Sequence, residues 1–132
     1  MMSLEDLFQE ALLQGECCSQ IMLRVALDRL DRRNEDLIRS MFGLCEGTPH
    51  GGTCGLVSAA ACIFSLACSR EDALALTGDF NEWFEDNYGS FSCRVLTNGE
   101  PMKRMSFCRE LNLACLRYIG ELLEWDDTGE EP

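Results

Sequence analysis

"GGTCGLVSAAACIFSLACS", Gly51 to Ser69, decides the fold. From Leu56 to Cys68 the residues are apolar or small, interrupted only by Ser58 and Ser65. A segment apolar nearly all round is a helix buried among others. It is too short to span a bilayer, which takes about 20 apolar residues. Thr53 can cap its start. The glycines around Thr53 allow a tight turn there and a close approach of backbone to a neighbouring helix or a bound group.

A buried helix needs others around it, and the flanking sequence supplies them. Ser3 precedes Leu4, Leu7, Phe8, Ala11 and Leu12 at helical spacing, with Asp6 at the capping-box position and Gly15 to close. A second helix is predicted from about Cys18 to Leu30. A third follows Asn34 and holds Leu37, Ile38, Met41 and Phe42. Gly43 to Gly52, with four glycines and Pro49, reads as a loop. Ser69 caps a fifth helix whose stripe is Ala73, Leu76, Thr77, Phe80, Trp83, Phe84 and Asn87, ended by Gly89. Gly78 is a candidate kink within it. A short turn covers Ser92 to Leu96. Asn98, Gly99 and Pro101 form a loop. The last helix begins near Ser106, with the stripe Leu111, Ala114, Cys115, Tyr118, Ile119 and Leu122. No segment shows the alternation of a strand. The reading is an all-α, compact bundle of five to six helices. One domain spans residues 1–132: an N-terminal helix over 1–15, a main region over 16–123 and an acidic tail over 124–132.

The net charge of −12 and the lack of a basic cluster beyond Arg32-Arg33 exclude nucleic acid as a partner. No membrane segment is expected. The start, MMSLEDLFQEALLQG, is acidic and does not read as a secretory signal. A cytoplasmic chain with nine cysteines points to metal, redox chemistry or buried thiols and away from a disulfide scaffold.

Four of the nine fall at expected helix starts in four separate segments: Cys18, Cys54, Cys93 and Cys108. A helix N-terminus carries about half a positive charge and unpaired N–H groups, and both favour thiolate over thiol. Cys62, Cys68 and Cys115 fall on apolar helical stretches, where cysteine packs as a small hydrophobe. Cys45 lies in the glycine-rich loop, and Cys17 points away from Cys18 on the helix. No two cysteines stand as C-x-x-C, so a thioredoxin-type pair, a zinc ribbon and c-type haem are excluded. His50 is the sole histidine. It is an exposed loop residue with a minor claim to be a supplementary ligand. Gly51 to Gly55 lacks the lysine of a phosphate-binding loop. Trp83, Phe84 and Tyr88 read as core packing. No carboxylate–histidine arrangement suggests a di-iron site.

The order of motifs resembles one family. Cys18-Ser19-Gln20 opens a helix, and Gly52-Thr53-Cys54-Gly55-Leu56-Val57-Ser58-Ala59 follows after a long gap. Then come Gly89-Ser90-Phe91-Ser92-Cys93-Arg94-Val95-Leu96 and Cys108. This resembles the C-GCAxxG-C-C family, small bacterial and archaeal proteins grouped as redox-active by four characteristic cysteines, here Cys18, Cys54, Cys93 and Cys108. The likeness runs from about Gly15 to Leu123. Leu56 stands where the central motif has alanine, and Ala59 where it has glycine. A similar domain occurs in a dimeric cytochrome with an iron–sulfur centre. By that analogy the four cysteines are expected to bind an iron–sulfur cluster for electron transfer with a redox partner protein. The open alternatives are a thiol–disulfide enzyme or sensor, a structural Cys₄ zinc site, or a helical interaction protein. The apolar stripe of the first helix must be covered by the bundle or by a second copy, and a homodimer is the expectation.

Overall fold

A computed structural model describes residues 3–45, 47, 52–97 and 101–125, with the side chains of 101–107 left aside. Among them lie seven α-helices: α1 (Leu4–Leu13), α2 (Cys18–Arg29), α3 (Glu35–Ser40), α4 (Gly55–Ala67), α5 (Arg70–Tyr88), α6 (Cys93–Thr97) and α7 (Pro101–Leu123). A 3-10 turn, Met41–Leu44, follows α3. The chain is all-α as expected, with more helices than the five to six predicted. His50, Asn98, Gly99 and most of the acidic tail lie outside the described residues.

The caps read from sequence hold at three starts. The Ser3 hydroxyl accepts from the Asp6 N–H at 3.1 Å, the Asn34 side-chain Oδ1 from the Leu37 N–H at 3.0 Å and the Ser69 hydroxyl from the Asp72 N–H at 3.3 Å. Each satisfies an orphan donor of the first turn, typically worth about 1 kcal/mol. Gly89 ends α5 in the left-handed region at φ 79°, where a side chain would be strained. Gly78 leaves α5 unbroken.

α4 is the central element. It packs against α2, α5, α7 and the 3-10 turn, and Leu56, Val57, Ala59, Ala60, Ile63 and Phe64 are all buried. The two departures from the family's central motif, Leu56 and Ala59, are thus part of this core. The outer side of α4 is open, however. Ser65 is exposed, and Cys62 and Leu66 are only half-buried. An aromatic group closes the other end. Phe80 meets Phe64, Trp83, Phe84 and Tyr118, and Trp83 stacks on Tyr118 with centroids 4.3 Å apart. Trp83, Phe84 and Tyr88 therefore pack as the sequence predicts.

Leu4, Leu7, Phe8 and Ala11 of α1 are buried against α2 and α7. The stripe that suggested a second copy finds its cover within the chain. Leu12, placed on that stripe, is instead largely exposed. Phe42 is 64% exposed because the 3-10 turn, with three residues per turn, rotates it off the α3 stripe.

Three boundaries differ in ways that matter for the cysteines. Cys54, not Thr53, is the N-cap of α4. Cys68 is the C-cap of α4, not an interior residue. α7 starts at Pro101, five residues before the expected Ser106. Proline suits a first helical position, where its missing N–H has no partner to lose. Cys108 consequently lies well inside α7, not at its N-terminus.

Candidate four-cysteine centre

A short zipper sets the geometry. Thr53 and Ser92 form an isolated antiparallel bridge. The Cys54 N–H donates to the Phe91 carbonyl at 2.7 Å, and the Cys93 N–H donates to the Gly52 carbonyl at 2.6 Å. Side chains alternate across such a pair, so Thr53 and Ser92 point one way while Cys54 and Cys93 share the other side. Burial agrees: Thr53 is exposed, and both cysteines are buried. Two cysteines 39 positions apart in sequence become diagonal neighbours, a relation in which Cα atoms typically lie about 7–8 Å apart.

Cys18 is the first residue of α2. Its sulfur packs over Gly55, the residue after Cys54. A Cβ built on Gly55 would lie 3.1 Å from the Cys18 sulfur and 2.8 Å from the Leu44 carbonyl oxygen. Glycine is required here by close approach alone. The Cys18 carbonyl accepts a hydrogen bond from Asn112 Nδ2 of α7 at 3.2 Å. α7 also brings Cys108 and Cys115, seven residues apart and therefore on one face of the helix.

Electrostatics at Cys54 ties the group together. Burial pushes its thiol up from 9.0 to about 12. The N–H of Leu56 opposes this, and charge on Cys18, Cys93 or Cys108 adds to it. The three other family cysteines thus lie within electrostatic reach of Cys54. The helix N-terminus is present as predicted, but a dipole contribution of about 0.3–1 kcal/mol does not overcome the desolvation of a buried thiolate. A bare thiolate is disfavoured at Cys54; a proton or a cation is needed there.

Cys115 is fully buried, and its thiol is raised well above 9.0 by burial and by proximity to Cys54 and Cys18. It packs, as predicted, but against the centre. Its spacing of two full turns from Cys108 was the available signal. Cys62 and Cys68 belong to no such group. Both are half-buried, and Cys62 lines an open apolar groove with Leu23, Leu37 and Leu66.

Cys17 and Cys45 form a disulfide across a separation of 28 residues, with Cα atoms 6.2 Å apart. No spacing rule predicts this pair, since it depends on how the glycine-rich loop returns to α2. One disulfide is far from a disulfide scaffold, so the reading of the cysteine set as mainly thiols stands.

Donor number and type suit soft-metal ligation, in which four cysteine thiolates are a common set. Among the described residues, no group of three or more cysteine, histidine, aspartate or glutamate side chains is placed to hold a metal ion.

Residues 16–127 match a family model described as "Putative redox-active protein (C_GCAxxG_C_C)". The chain belongs to the C-GCAxxG-C-C family. The match covers α2 to α7 and leaves α1 as an N-terminal addition packed on the family fold. No curated protein and no solved structure matches the chain. Among the described residues, no helix is long and apolar enough to cross a membrane.

Proposed function

We propose that Cys18, Cys54, Cys93 and Cys108 hold an iron–sulfur cluster and that the protein is an electron-transfer module working with a redox partner. The observation that carries this reading is Cys54, a buried thiol at the start of α4 with the other three family cysteines in electrostatic reach. Bringing four thiolates around a desolvated position is costly unless a cation joins them. A bound cluster would supply one-electron chemistry.

The chain's own residues do the rest. Gly55 lets Cys18 approach α4, the 53–92 bridge holds Cys54 beside Cys93, and the Leu56 N–H donates toward sulfur. The alternative occupant is a single tetrahedral zinc ion; the likeness to the iron–sulfur domain of a dimeric cytochrome favours a cluster. A reducing, cytoplasmic setting suits a chain with so many thiols.

The test is the visible spectrum of anaerobically purified protein with its iron, zinc and acid-labile sulfide content. Iron and sulfide with a charge-transfer spectrum are expected. A colourless protein holding zinc or no metal would overturn the reading. The alternative of thiol–disulfide chemistry is favoured by a specific observation, but at Cys17 and Cys45, outside the four.

A further inference from the structure

We propose that Cys17 and Cys45 are a reversible thiol–disulfide couple, separate from the four family cysteines, which exchanges with small thiols and disulfides. Its oxidised form holds Cys18 in place beside α4. The second statement rests on the four-cysteine reading; the first does not.

The pair is built for disulfide formation. Cys17 is the N-cap of α2, and Cys45 closes the 3-10 turn. Their Cα separation of 6.2 Å lies inside the range of about 4.4–6.8 Å that a disulfide needs.

The pair is also built to open. Ser19 is fully buried, yet its hydroxyl sits 3.3 Å from the Cys45 sulfur and 3.5 Å from the Cys17 sulfur. That hydroxyl donates its only proton to the Met41 carbonyl at 2.8 Å. Its lone pairs therefore face two sulfurs that carry no proton when joined. Reduction supplies those protons, and each thiol finds the Ser19 oxygen as an acceptor. The Met41 carbonyl, 4.0 Å from the Cys45 sulfur, is a second acceptor. A buried polar group is costly unless bonded, so a hydroxyl at this position makes the reduced form as well satisfied as the oxidised one.

Access is one-sided. Cys17 is half-buried and Cys45 is buried. An incoming thiolate RS⁻ therefore attacks the Cys17 sulfur. The Cys17–Cys45 bond breaks, a Cys17–SR bond forms, and Cys45 leaves with the electron pair and takes up a proton. A second RS⁻ attacks the R sulfur, giving RSSR and the Cys17 thiolate, which takes up a proton. Two RSH are oxidised to RSSR and one protein disulfide is reduced to two thiols. The reverse sequence closes the pair.

The neighbours give this couple a consequence. Cys18 follows Cys17, and Leu44, which precedes Cys45, presents its carbonyl to Gly55. The disulfide thus clasps the two segments that frame the Cys18 sulfur.

The test uses the full chain equilibrated anaerobically in mixtures of reduced and oxidised glutathione, acid-quenched, alkylated and digested for mass spectrometry. A cross-linked peptide joining Cys17 to Cys45 is expected under oxidising mixtures. It should give way to two alkylated thiols under reducing mixtures without denaturant. Alkylation of both at every ratio would overturn the couple, as would a bond that yields only after unfolding. Iron content of anaerobic Cys45→Ser against wild type tests the clasp. Loss of iron in the variant supports it, and equal iron overturns it. If wild type itself holds no iron, the four-cysteine reading falls, and the clasp with it, while the peptide result still decides the couple.

Discussion

Asn112 of α7 donates from Nδ2 to the carbonyl of Cys18, joining residues 94 positions apart at the start of α2. Because that bond fixes the amide's orientation, Oδ1 is the buried atom without a partner among the described residues. The contact is a direct tie between α7, which carries Cys108 and Cys115, and Cys18. Asn112→Ala removes it and leaves a small cavity. The expected cost is about 1–3 kcal/mol, read as a lower urea midpoint with an unchanged slope. Iron retention should fall along with it.

Glycine substitutions separate packing from propensity. At Gly55 a methyl group would press on the Leu44 carbonyl and the Cys18 sulfur. Gly55→Ala should therefore destabilise by about 1–3 kcal/mol despite alanine's better helix propensity. At Gly78 in α5 an added methyl meets nothing within 4 Å. Gly78→Ala should stabilise by up to about 1 kcal/mol. Thermal melts of the two variants should move in opposite directions.

Those contacts show where sequence reading stops. Caps at Ser3, Asn34 and Ser69, the buried α4 and the aromatic group were legible because each depends on residues within a few turns. The grouping of Cys18, Cys54, Cys93 and Cys108 follows from expected helix starts and the family motif together. For Cys108 the helix-start argument fails, because Pro101, expected in a loop, opens α7. The bridge between Thr53 and Ser92 was invisible: one pair of residues carries no alternating pattern. The pairing of Cys17 with Cys45 depends on loop closure over 28 positions, which local propensity does not encode.

Alkaline pH should weaken the reduced, metal-free protein. The folded state holds the Cys54 thiol neutral to about 12, whereas the unfolded chain releases that proton near the ordinary 9.0. Stability from this group is full below 9.0 and is lost as pH rises toward about 12. Cys115, raised in the same direction, adds to the slope. Urea midpoints measured upward from neutral pH should stay level and then decline, and Cys54→Ala should flatten the decline.

The Cys17–Cys45 bond closes a loop over 28 positions, and such a link typically contributes about 2–4 kcal/mol. Under oxidising conditions Cys45→Ser should melt well below wild type. Under reducing conditions the two should nearly coincide. Calorimetry with and without reductant checks both statements.

Iron retention across single cysteine variants decides whether the four cysteines hold a cluster. Cys18→Ser, Cys54→Ser, Cys93→Ser, Cys108→Ser and Cys62→Ala are purified anaerobically, and iron, labile sulfide and the visible spectrum are measured for each beside circular dichroism. The four serine variants should lose or strongly diminish the cluster while keeping their helix content, and Cys62→Ala should keep it. A wild type without iron, or a Cys54→Ser variant with a wild-type spectrum and iron content, would contradict it.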